Sequence, residues 1–127
     1  MPVEPCWFCV RMTRVIGVVL LSVGSAMAGA LDDCEAAYDR QDYVLALRLC
    51  RPLAEQGDID AQTAVGNLYY EGWGVEQNYV LAHMWYNLAA AQDAGVAAKN
   101  RDRVAAKMTP AQIAEAQRLA REWKPTK

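Results

Sequence analysis

The sequence predicts an all-α fold, a helix-turn-helix repeat solenoid of about six helices wound as a right-handed superhelical stack. Three observations carry the prediction. A hexapeptide recurs, since Gln41-Asp42-Tyr43-Val44-Leu45-Ala46 and Gln77-Asn78-Tyr79-Val80-Leu81-Ala82 agree at five of six positions at an offset of 36 residues. The register persists, with Leu49 aligned to Trp85, Ala54 to Ala90 and Ala61 to Ala97; two helices and two turns consume about that many residues. Alanine is abundant, glycine and proline fall between apolar stretches, and no segment alternates polar and apolar residues as a half-buried strand would.

With 127 residues the chain has room for one small domain. Its beginning reads differently from the rest. Arg11 and Arg14 precede the apolar run Val15-Ile16-Gly17-Val18-Val19-Leu20-Leu21, which gives way to Ser25-Ala26-Met27-Ala28. This is the order of a secretory signal peptide, with small residues where a signal peptidase reads. The apolar run is well short of the ~20 residues that cross a bilayer. Residues 1–28 are therefore expected to be a cleaved signal peptide, with Met12 an alternative start and a cut after Ala28 or, as second choice, Ala30. An uncleaved anchor is the competing reading. Cleavage removes Glu4, Arg11 and Arg14 and moves the net charge from −2 to −3. A mildly acidic surface repels phosphate, so nucleic acid is not an expected partner.

The domain expected at 29–127 divides into a degenerate repeat at 31–57, a full repeat at 60–95 and closing helices at 97–123. Helices are predicted near 31–40, 42–56, 60–71, 77–92, 97–107 and 110–123. The first joint is the polar Asp39-Arg40-Gln41 and the second Gln56-Gly57-Asp58. The third, Glu71-Gly72-Trp73-Gly74-Val75, carries two glycines that permit a tight reversal. On 60–71, Ala61, Ala64, Val65, Leu68 and Tyr69 recur at threes and fours and define a buried face. On 77–92 the same spacing selects Tyr79, Ala82, Trp85, Tyr86, Ala89 and Ala90. Small Ala and Gly66 opposite large Tyr and Trp let neighbouring helices interlock. Thr109-Pro110-Ala111-Gln112 opens the last helix with an N-cap, a first-turn proline and a glutamine three residues on.

The unit from Ala61 to Ala90, with Gly66, Tyr69, Gly72, Gly74, Val75, Tyr79, Ala82, Trp85, Ala89 and Ala90 on the marks, closely resembles the Sel1-like repeat, a relative of the tetratricopeptide repeat. Asp93 departs from the pattern where the family usually carries glycine, and Gly95 stands two residues later as a substitute. The first unit lacks the glycine turn and resembles a capping repeat; the last resembles the closing helix pair often found after such arrays. The resemblance implies an adaptor or regulator that holds other proteins, including exported bacterial forms acting in the envelope. Fold alone does not fix function.

Cys6 and Cys9 would leave with the signal, and Cys34 and Cys50 remain as an even pair in an exported chain, which suggests one disulfide. A reversal near Gln41 puts them seven residues before and nine after it on antiparallel neighbours. Exported cysteine-rich members of the family also tie paired helices together.

A catalytic role finds no residues to carry it. His83 stands alone on a helix, where a histidine is far more often a solvent or boundary residue than a general base. Asp32, Asp33, Glu35, Asp58 and Asp60 read as acidic residues at helix starts. No nucleophile elbow, phosphate loop or dinucleotide fingerprint occurs, and no cofactor or metal is expected. The binding expectation rests on residues facing away from the packed stripe: Thr63, Asn67, Tyr70 and Glu71, continued by Trp73. First helices of each pair line the concave side of such solenoids. The competing account of Tyr70 and Trp73 is that they cover the adjacent repeat. Asn100, Arg103 and Lys107 form a basic edge or a solvated face. The sequence thus predicts a monomeric, periplasmic or secreted scaffold that binds a protein or peptide in a shallow helical groove. The alternatives are an envelope enzyme, such as a hydrolase or other protein active on peptidoglycan or an antibiotic, and a structural oligomer.

Overall fold

A computed structural model describes residues 29–126. The expected signal peptide at 1–28 lies outside the described residues, and beyond residue 30 the chain forms one compact unit, Leu31–Lys127. Six helices and no strand occur among the described residues. They are α1 (29–39), α2 (Tyr43–Glu55), α3 (Ile59–Glu71), α4 (Tyr79–Gln92), α5 (Val96–Ala105) and α6 (Pro110–Glu122). Successive helices fold back on one another: α3 packs on α2 and α4, and α4 also contacts α5 and α6.

The recurring hexapeptide occupies equivalent places in the fold. Asp42 and Asn78 are the N-caps of α2 and α4, and their side chains accept from Leu45 N at 3.3 Å and Leu81 N at 3.0 Å. Each satisfies one of the helix's orphan donors. Ala46 and Ala82, Ala54 and Ala90, and Ala61 and Ala97 are all buried, so the 36-residue register in sequence is a register in the core. α4 starts at Tyr79, two residues later than expected, because Asn78 takes the cap while Gln77 stays outside and donates from Nε2 to Tyr70 O at 2.8 Å. α5 stops at Ala105, where Lys107 N and Met108 N already bond back by three residues to Val104 and Ala105 carbonyls. α6 opens with the expected capping box, Thr109 N to Gln112 Oε1 at 2.9 Å and Gln112 N to Thr109 Oγ1 at 3.2 Å.

Two glycines are required by close approach. A Cβ on Gly66 would lie 2.6 Å from Tyr86 Cε1, so its absence sets how deeply the Tyr86 ring enters α3. A Cβ on Gly74 would lie 2.6 Å from the Tyr43 carbonyl carbon, and Gly74 also has φ +70°. Here the turn of the second unit rests directly on the start of α2. Gly95 does not replace the family's glycine in the way expected. It has negative φ and caps α5, and the turn is made by extended Asp93, whose Oδ1 accepts from Gly95 N at 3.1 Å.

The core holds one polar tie that the spacing of apolar residues did not reveal. Gln62 is fully buried on α3; its Nε2 donates to Ala54 O at 3.1 Å, and its Oε1 accepts from Gln92 Nε2 at 3.2 Å. Gln92 Nε2 also donates to Gly57 O at 2.8 Å. The ends of α2 and α4 are thereby joined through α3. At the far end, Trp123 meets Trp85 edge-on at 6.4 Å, and Thr126 N donates to Glu55 O at 2.8 Å. The chain's last described residues thus return to α2.

Candidate binding groove

α1 is fixed to α2 by the Cys34–Cys50 disulfide, with Cα atoms 5.0 Å apart and both side chains buried. That attachment positions the α1 face bearing Glu35, Tyr38 and Asp39 opposite the α3 face bearing Asp60, Thr63, Ala64 and Asn67. Between them lies an open depression of about 350 Å³ lined by those seven residues. α1 and α3 are the first helices of their pairs, which is the side on which repeat solenoids present their concave surface.

Each wall is held in place by contacts behind it. Asn67 Oδ1 accepts from the Tyr86 hydroxyl at 2.5 Å. Burial pushes the Tyr86 phenol well above its ordinary range, so it remains a donor. Thr63 Oγ1 donates to Ile59 O at 3.0 Å. The Tyr38 ring meets Tyr43 edge-on at 5.8 Å and Trp73 at 6.4 Å, and Tyr43 and Trp73 stack at 4.6 Å. Burial also raises the Tyr38 phenol, with the Asn67 side chain pulling it the other way.

The expected binding residues divide between two places. Thr63 and Asn67 line the depression, and Trp73, 38% exposed, borders it through Tyr38. Glu71 is exposed beyond it. Tyr70 does not face away from the packing: it is 8% exposed, with Arg103 at 5.1 Å and Lys107 at 5.0 Å from its ring centre. Arg103 on α5 and Lys107 just beyond its end therefore cover Tyr70, and a hydrogen bond with the Tyr70 side chain, then its charge, hold the Lys107 ammonium above its usual range. The α1 wall was missed because Glu35 read as an acid at a helix start. It lies in the C-terminal half of the described α1, four residues before Asp39 and three before Tyr38. That spacing on one helix face was the available signal.

His83 departs from expectation as well. It is 3% exposed, and its Nδ1 has no hydrogen-bond partner. α4 packs against three other helices, so a residue off its main apolar stripe is still covered. Burial, then the charge of Arg101, hold its pKa below 6.5, with Asp102 opposing.

The Sel1 repeat model matches residues 37–58 and 59–93, the segments that contain the end of α1 with α2, and α3 with α4. The chain is a Sel1-like repeat protein. The first match is shorter than the second and begins only at residue 37. Among solved structures the chain is similar to the crystal structure of a protective antigen present in uropathogenic Escherichia coli strains displaying an SLR fold. The two are 34% identical with a TM-score of 0.61 over 64% of this chain. The match spans 18% of that longer chain. No curated protein matches the sequence. Sel1-repeat proteins bind protein partners, and the groove between the first helices of two adjacent repeats is where this chain offers a concave surface. Among the described residues, no helix is long and apolar enough to cross a membrane.

Proposed function

We propose that this Sel1-like repeat protein is an exported interaction scaffold that holds a peptide or protein segment in the groove between α1 and α3. The observation that carries the reading is the depression itself, with Thr63 and Asn67 on one wall and Tyr38 on the other. Asn67 is braced by Tyr86 and Tyr38 by Tyr43 and Trp73. Pre-positioned aromatic and amide side chains give contact area and hydrogen bonding at little ordering cost. Export rests on the signal-peptide pattern of residues 1–28 and agrees with the Cys34–Cys50 disulfide, a bond that persists in oxidising compartments.

Two measurements test the two halves. Mass spectrometry of the cell-envelope or secreted form should find an N-terminus at Gly29 or Leu31, and an N-terminus at or before Met12 defeats the cleavage reading. Cross-linked capture from intact cells should recover a partner with wild type and lose it with Thr63→Arg, which places a long side chain in the depression. Equal recovery by both removes the groove from the proposal.

A further inference from the structure

Resting on the groove as a docking site, we infer that its occupant is a basic segment of a partner protein, with a lysine or arginine side chain seated between α1 and α3. Negative charge at the groove goes unanswered. Glu35, Asp39 and Asp60 rim the depression, and none forms an ion pair among the described residues. Elsewhere Glu55, Asp102, Glu115 and Glu122 are each paired with an arginine and Asp42, Asp58 and Asp93 accept from backbone N–H groups. Asp32, Asp33, Glu71 and Glu76 are exposed without an ion pair among the described residues, as the groove's three are. Asp60 has a local reason for its place, in the first turn of α3, where negative charge complements the exposed N–H groups. Glu35 and Asp39 have none. They are like charges four residues apart in the last turns of α1, the helix end where the backbone dipole disfavours an anion. Arg40, next along the chain, is exposed and makes no ion pair among the described residues. A cation entering from outside would relieve both conflicts.

The remaining lining selects the kind of cation. Among the described residues no group of three His, Cys, Asp or Glu side chains is arranged to hold a metal ion, so three carboxylates spread around an open space of about 350 Å³ suit a larger organic cation. The half-buried Tyr38 ring supplies an aromatic surface against which a guanidinium or ammonium packs well. Asn67 gives its oxygen to Tyr86 and its side chain also engages Tyr38, so of its two N–H donors one remains for a peptide carbonyl. Arg103 and Lys107 stand over Tyr70, about one turn beyond Asn67 on the same face of α3, so the acidic part of the groove is its α1 side.

The test uses the full chain and two labelled nonapeptides, three repeats of Lys-Ala-Ala and three of Glu-Ala-Ala, in a fluorescence anisotropy titration at low salt. The lysine peptide should bind and the glutamate peptide should not. Glu35→Gln with Asp39→Asn should weaken the lysine peptide about ten-fold, while Glu115→Gln with Glu122→Gln, the same charge change on α6, should leave it unaltered. Failure of the lysine peptide to bind, or equal weakening by both double variants, overturns the inference. Circular dichroism establishes that each variant is folded. If Thr63→Arg abolishes partner capture while the lysine peptide fails to bind, docking survives and the basic occupant falls. If Thr63→Arg changes nothing, the docking reading itself has failed.

Discussion

At the scale of single residues, the strongest constraints come from groups with no freedom to adjust. His83 is one, because its imidazole is buried with an unpartnered nitrogen beside the positive Arg101. Unfolding returns it to water, where it titrates near 6.5. The unfolded chain therefore takes up the proton first as pH falls, so this contribution to stability is complete above about 6.5 and declines below it. Urea unfolding at about pH 7.5 and about pH 5.5, a window in which carboxylates hardly titrate, should show a lower midpoint on the acid side. His83→Gln should flatten that difference, and parallel behaviour of the two proteins would refute it. Gly66 is a second such residue. Its missing Cβ is the space into which Tyr86 packs while bonded to Asn67, so Gly66→Ala should destabilise by about 1–3 kcal/mol in the same assay. Gln62 is a third, since its removal leaves the Ala54 carbonyl buried without this donor. Gly57 N still donates to that carbonyl and Gln92 keeps its bond to Gly57 O, so Gln62→Leu should cost about 1 kcal/mol, the net worth of the bonds removed.

At the scale of elements, α1 depends on its covalent tie. Cross-linking residues this far apart in the chain contributes on the order of 3 kcal/mol, and α1 is the wall that carries Glu35, Tyr38 and Asp39. Reductant should shift the urea midpoint of wild type downward, and Cys34→Ser with Cys50→Ser should be insensitive to it; a reductant effect persisting in the double variant would point elsewhere. The sequence made the elements legible to within a residue or two, because capping groups such as Asp42, Asn78 and Thr109 act locally and the hexapeptide repeat fixed the period. The groove was half legible. Thr63 and Asn67 followed from helical periodicity, whereas the α1 wall faces them only through tertiary packing. Tyr70 was misplaced for the same reason: periodicity put it opposite the α3 core stripe but could not show that α5 would cover it. His83 and Gln62 were illegible because polar residues read as surface until every neighbour of their helix is known.

For the whole molecule, the stack is closed at its far end by α6. Trp123 covers Trp85, and the chain then reaches back to the Glu55 carbonyl through Thr126. Repeat arrays derive stability from neighbouring interfaces, so a chain ending at Ala106 should lose more than α6 alone. Its thermal transition should broaden and move down, read by circular dichroism; an unchanged sharp transition would show α6 to be an appendage. The aromatic cluster beside the groove gives the protein an optical property. Trp73 is partly open to solvent and stacked on Tyr43, and both rings touch the Tyr38 side chain that forms part of the wall. Trp85 is deeply enclosed and Trp123 leans on it at the other end of the stack. Among these three indoles, Trp73 is the one whose emission would register an arriving guest, so occupancy can be followed by intrinsic fluorescence without attaching a dye.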